Sequence, residues 1–261
     1  MIQSLIDEQG AWFEAEMDKI LRRMRNVINS QLNVFTRQGG NLLNTTDNME
    51  LTSQMYLNLT RALNEAGYTQ LIANVQAKEN DLLRHLRDNR PRGAVPISFT
   101  AVTKQKIAAM NNIFNNQFAG VGEQAMRQIS GIILDSVSRG GAIDATLRHI
   151  NDVLDTNFKR YAVTYMNTSR GNFIQDVEYA FASEYDGEPF WEYQGPDDDV
   201  TRPACQVGLG IDADASYPNA PFYTDEERIR FESETAEERM YNCRHDFILI
   251  TERYYKENIG G

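Results

Sequence analysis

Cysteine is scarce in this chain. Its 261 residues hold only Cys205 and Cys243, too few for a disulfide framework and in keeping with assembly in a reducing cytoplasm. Histidine is nearly as rare, at His85, His149 and His245. A cysteine hydrolase needs a base beside its thiolate, and no recognisable nucleophile motif accompanies these few groups. GxGxxG, a phosphate-binding loop and HExxH are all missing, which removes the usual signals for dinucleotide, nucleotide and zinc-protease chemistry. No apolar run reaches the ~18 residues of a membrane span. The first residues, MIQSLIDEQGAWFEAEMDK, are acidic and polar where a signal peptide is basic and then apolar, so export by the ordinary secretory route is not expected. The sequence makes no positive case for an enzyme or for a cofactor.

Positive charge is short at one end. The net charge of −11 hides an asymmetry: residues 1–90 carry 10 basic and 11 acidic side chains, residues 91–170 carry 9 and 5, and residues 171–261 carry 7 and 21. An acidic last third repels nucleic acid, so any phosphate contact falls to the middle. Those on the middle helices are Lys104, Lys106, Arg127, Arg139, Arg148, Lys159, Arg160 and Arg170. Their plainer reading is a solvated helix face.

Hydrophobic spacing gives the clearest structural signal. Phe13, Met17, Ile20, Met24, Val27, Gln31 and Val34 alternate steps of four and three, one stripe of a long helix. Such a stripe favours another long helix at a shallow crossing angle. The helix is therefore expected to stay partly exposed when the protein is alone, with Phe13, Met17, Ile20 and Met24 as anchors for a partner. Gly39 and Gly40 are expected to stop it. A second helix is expected from Asp47 or Asn48, either a suitable N-cap, towards Arg90, with a bend or break at Gly67. Pro91 and Pro96 make residues 91–99 a linker. Shorter helices fill 100–186, with a tight turn at Gly140-Gly141, Asp144 as a cap and a last helix from about Asn157 to Tyr185. After Gly187, Phe190-Trp-Glu-Tyr193 alternates as a strand does. A loop occupies 207–221, Thr224 caps a short acidic helix, and His245 to Glu252 is a buried strand. The expected fold is α+β and mostly helical. Residues 1–90 form a long-helix region, and residues 100–261 form one domain. That domain has a helical part (100–186) and a small, acidic, mixed α/β part with short strands (187–261).

Metal ligation is weighed on ligand number. Zinc takes four ligands in a closed site, or three plus water in a catalytic one. Cys205, Cys243 and His245 supply at most three, so no metal is expected. Two neighbouring buried thiols, or a disulfide formed later, stand in its place. Asp212-x-Asp214-x-Ser216 begins like a calcium loop, but Tyr217 stands where glycine is needed and Tyr223 where glutamate is needed. It is expected to be an acidic surface loop. Asp197-Asp198-Asp199 is expected to cap a helix at Thr201 and not to form a two-metal nuclease site.

The last 120 residues resemble the phage Mu F-like head morphogenesis family, the minor head proteins. The resemblance rests on the glycine turn Gly140-Gly141, on Ala162-Val-Thr164, and on the strand Phe190-Trp-Glu-Tyr193. It rests further on the segment Asp198-Asp-Val-Thr-Arg-Pro-Ala-Cys205, with Thr201 and Arg202, and on Asn242-Cys243-Arg244 before HDFILITE. The chain departs from the family pattern at Arg202, where a first cysteine often stands, and at Met240-Tyr241 in place of His-Pro. Two of four potential soft ligands are thereby gone. The resemblance implies a structural protein of the virion, assembled in the host cytoplasm and docked in few copies to the portal or major capsid protein. It also implies contact with packaged DNA and a part in genome packaging or ejection. A helical adaptor of a host complex and a metal-assisted hydrolase are the alternatives.

Overall fold

The structure, a computed structural model, describes residues 2–199, 201–239, 243 and 245–259. It is mostly helical with a small antiparallel sheet near the C-terminus, the expected α+β class. In chain order the elements are α1 (Ile2–Leu32), β1 (Arg37–Gln38), β2 (Asn41–Leu42), α2 (Thr46–Glu65), α3 (Tyr68–Asp88), α4 (Ala101–Arg139) and α5 (Ile143–Asp152). A π-helical stretch (Val153–Lys159) leads into α6 (Arg160–Ala182). Then come β3 (Phe190–Gln194), α7 (Pro203–Gly208), β4 (Phe222–Thr224), α8 (Asp225–Arg239), β5 (Asp246–Ile250) and α9 (Glu252–Ile259). Among the described residues no helix is long and apolar enough to cross a membrane.

The chain divides into two compact units: Met1–Glu8, Glu79–Asn112 and Met166–Gly261 in one, Gln9–Lys78 and Ile113–Tyr165 in the other. The division does not fall at the expected linker. It passes inside α1, α3, α4 and α6, where composition is uniform and nothing in the sequence marks a boundary.

In the unit of Gln9–Lys78 and Ile113–Tyr165, the α1 stripe is core. Phe13, Met17 and Met24 are 0% exposed and Ile20 is 3% exposed. Phe13 meets Phe118 of α4 edge-on at 5.3 Å, and Phe118 stacks on Tyr68, whose hydroxyl donates to the Phe118 carbonyl at 2.7 Å. The four residues are therefore not partner anchors, which corrects the expectation drawn from spacing. The buried set continues through Leu21, Ile28 and Leu32 while Val34 is exposed. Burial thus follows the 3.6-residue period of a straight helix inside a bundle and not the 3.5-residue seam of a coiled coil.

Several local expectations are corrected nearby. Helix α1 ends before Gly39, and Gly39 and Gly40, both at positive φ, turn the β1–β2 hairpin instead. The α2 cap is Thr45, whose side chain accepts from the Asn48 N–H. Asn48 is buried and reaches back, accepting from Thr36 N–H and donating to the carbonyls of Thr36 and Leu43. Its amide thereby ties hairpin to helix. Helix α5 starts after Ala142 with no side-chain cap, and Asp144 lies within its first turn, where a carboxylate still favours the helix dipole.

In the other unit, β3 is the central strand of the order β4-β3-β5, antiparallel on both sides, with Trp191 opposite Leu249 and Tyr193 opposite Phe247. Every residue of β5 is buried, because α6 and the rest of the core cover it. The apolar core joins Phe173 and Val177 of α6 to Trp191, Tyr193, Phe247 and Leu249 of the sheet and Phe231 of α8. Thr224 and Glu227 form a reciprocal capping box at the start of α8.

The expected linker is a strap held against the sheet by two buried side chains. Val95 donates to the Leu249 carbonyl at 2.9 Å, and Val95 and Ile97 are buried. Arg90 fastens it. Its guanidinium pairs with Glu178, donates to the Val95 carbonyl at 3.0 Å and to the Leu249 carbonyl at 3.2 Å. Glu178 in turn accepts from Leu249 N–H at 3.2 Å.

Candidate functional site

Two segments far apart in sequence meet at the edge of this sheet. Pro203, whose fixed φ suits the first turn of a helix, starts α7 and carries Cys205 into the core. Cys243 and His245 arrive on the residues just before β5. The Sγ atoms of Cys205 and Cys243, 38 residues apart, are separated by 3.9 Å. A disulfide is ~2.05 Å, so the pair is not bridged. His245 completes a cluster in which the sulfur and ring-nitrogen ligand atoms all lie within 4.8 Å of one another.

The imidazole is fixed from three sides. Its Nε2 lies 2.8 Å from the Pro196 carbonyl; a carbonyl only accepts, so Nε2 carries a proton, and in the neutral ring the lone pair is on Nδ1. Tyr193 stacks on the ring at 5.6 Å between centroids and 14° between planes. Gly195 lies against the ring, where a Cβ would come within 2.1 Å of His245 Cδ2; any side chain there has to displace the ring. Tyr193 also donates from its hydroxyl to Cys205 Sγ at 3.5 Å, and Cys243 Sγ donates to the His245 carbonyl at 3.7 Å. Cys243 and His245 line a cavity of about 300 Å³ together with Thr168, Asn172, Gln175 and Glu232. Gln175 donates to Tyr179 Oη at 2.5 Å, Tyr179 bonds Glu232, and Glu232 pairs with Arg228. Burial and the adjacent Glu232 carboxylate push the Tyr179 phenol well above its ordinary range.

No family model matches the chain, and neither does any curated protein or solved structure.

Of the motif residues singled out in the sequence, Cys205 and Cys243 are brought together. Asp198 and Thr201 form a tight turn, Thr201 N–H donating to the Asp198 carbonyl at 2.8 Å and its hydroxyl to the Pro196 carbonyl at 3.0 Å. This turn, and not a helix cap by the aspartates, is their role: α7 begins later, with Arg202 at its N-cap. The turn also steadies Pro196, the residue that holds His245. Asn242 and Arg244, with Met240 and Tyr241, lie outside the described residues. Asp212, Asp214 and Ser216 sit on an exposed turn in which Asp214 accepts from Ser216 N–H at 2.7 Å. Sequence reasoning missed Gly195, Pro196 and the cavity wall on α6. The available signal was Gly195 lying two residues beyond Tyr193 and so on its face of the strand.

The basic residues are divided between the two units. Lys104 and Lys106 belong to one unit, and Arg127, Arg139, Arg148, Lys159 and Arg160 to the other. Arg127 pairs with Glu123, Arg139 with Asp135, and Lys159 with Glu14 and Asp18. Arg170 is 1% exposed and cannot reach a phosphate backbone. It shares its unit with Glu79, 3% exposed, and no guanidinium nitrogen has a hydrogen-bond partner among the described residues. Burial pushes the Glu79 carboxyl up to about 7 and the Arg170 guanidinium down to about 10, and the opposite charge of each partly offsets this.

Proposed function

We propose that the chain is a non-enzymatic structural protein of a tailed-phage head, recruited in few copies to the portal or inner capsid during assembly in the host cytoplasm. The observation that carries the reading is the meeting of Cys205 with Cys243 at 3.9 Å. It joins two of the segments on which the resemblance to the minor head proteins rests, those of Cys205 and of Cys243. The strand Phe190–Gln194 precedes both segments and pairs with β5, the strand that follows them, in the order the resemblance implies. Contact with packaged DNA has weaker support, since three of the eight basic residues named for it are paired with carboxylates and a fourth, Arg170, is buried.

Docking does not use the Phe13–Met24 stripe, which is spent on the protein's own core. The genes on either side of this one give the first test: portal and terminase genes are expected. The second is co-expression of the full chain with the neighbouring portal protein, followed by sedimentation. Co-sedimentation of portal and chain is expected. Metabolic neighbours and a chain that never sediments with particles would leave the host-adaptor reading instead. Metal-assisted hydrolysis is favoured by one observation, the thiol–imidazole cluster bordering a cavity with a carboxylate wall.

A further inference from the structure

We propose that Cys205, Cys243 and His245 bind one zinc ion, with the fourth coordination position open to the adjoining cavity. The ligand count that argued against zinc in the sequence is the count of an open site: three protein ligands and one exchangeable position. The geometry fits. Two sulfurs each ~2.3 Å from a zinc ion in a tetrahedral shell stand about 3.8 Å apart, and the two Sγ atoms stand 3.9 Å apart. No pair of ligand atoms is farther apart than 4.8 Å, so closing onto an ion takes roughly 1 Å of movement.

The surroundings supply what a soft cation needs. A ligating histidine commonly donates its other ring N–H to a carbonyl, which fixes tautomer and orientation; here Nε2–H is held by Pro196 and Nδ1 is left to bind. Gly195 and Tyr193 fix the plane of that ring. The Tyr193 hydroxyl donates to Cys205 Sγ, an interaction that strengthens when the sulfur becomes a thiolate. Two thiolates balance the charge of Zn²⁺, and binding releases the two thiol protons. Soft sulfur ligands exclude magnesium and calcium. Cys243 and His245 both line the cavity, with Thr168, Asn172, Gln175, Glu232 and Asp246, so a fourth ligand can reach an ion held by them from that side. The inference is independent of the head-protein reading.

The test uses the full chain, reduced and then freed of reductant without air. Zinc is added and unbound metal removed by gel filtration. One zinc per chain is expected, and bound zinc is expected to shield Cys243 from iodoacetamide. Cys243→Ser and His245→Gln should each weaken binding by more than the 10–100-fold that loss of an outer partner costs, and Tyr193→Phe should fall within that range. Circular dichroism identifies any variant that fails to fold; the iodoacetamide readout needs none. Cobalt(II) in place of zinc should give thiolate-to-metal and tetrahedral ligand-field absorption that shifts on adding azide. Retention of no zinc, or equal retention by Cys243→Ser, overturns the site. A cobalt spectrum indifferent to azide overturns the open position.

Discussion

Replacing Glu178 by alanine tests how the strap of residues 90–97 is held to the sheet. Glu178 is 0% exposed and accepts from Arg90 and from Leu249 N–H. Its removal strands a buried backbone donor, worth ~1–3 kcal/mol. It also leaves the Arg90 guanidinium with the carbonyls of Val95 and Leu249 but no counter-charge. Breaking one partner of a buried pair costs roughly 3–5 kcal/mol, and the two estimates overlap, so a loss of about 4 kcal/mol is expected. Removing both charges together, as Arg90→Met with Glu178→Leu, should cost less than either single change, since no buried charge is then uncompensated. Urea denaturation of the wild type, Arg90→Met, Glu178→Leu and the double variant closes the cycle, with Glu178→Ala measured beside them. A loss below ~1 kcal/mol for Glu178→Ala, the range of exposed pairs, or additive single and double variants, would refute the reasoning.

Three further outcomes follow from the same structure. Ile20→Asp with Met24→Asp should unfold the unit of Gln9–Lys78 and Ile113–Tyr165, each change placing a charge in a fully apolar site at several kcal/mol (~4 or more); a double variant that keeps its helicity and melting temperature restores these residues as surface anchors. Gly195→Ala should displace the His245 ring, lowering zinc affinity without loss of helical signal, and unchanged affinity would remove Gly195 from the site. Glu79, held near 7 in the fold against an ordinary 4.5, binds its proton more tightly folded than unfolded. Its contribution is therefore favourable below pH 4.5 and is lost as pH rises through 7, by roughly 3 kcal/mol. Unfolding free energies at pH 5 and 8 should differ less in Glu79→Gln than in the wild type, and equal differences would contradict the assignment.

Much of the fold was legible because it is written in local pattern. The α1 stripe, the strands at Phe190 and Phe247 and the Thr224 cap each depend on neighbours a few residues away. What spacing could not tell was the partner. The same apolar stripe serves an intermolecular seam or an internal bundle, and only the rings of Phe118 and Tyr68, some 50 to 100 residues on, decide for the bundle. Pro91 and Pro96 read as a linker because proline breaks helices, yet an edge strap also accepts proline, and Arg90 with Glu178 holds this one in place. At the candidate site the three ligand types were visible, but not their convergence. That depends on α7 carrying Cys205 back to β5 and on a carbonyl, Pro196, which no side-chain pattern announces.

The central structural claim, that Cys205, Cys243 and His245 share one site, is tested most directly by oxidising the zinc-free full chain with diamide and mapping its peptides. The two sulfurs need to approach by only about 2 Å to form a bond, so the account predicts a monomeric product with a single Cys205–Cys243 linkage, blocked when zinc is added first. Intermolecular dimers or separate diamide adducts, with the two cysteines never joined, would contradict it.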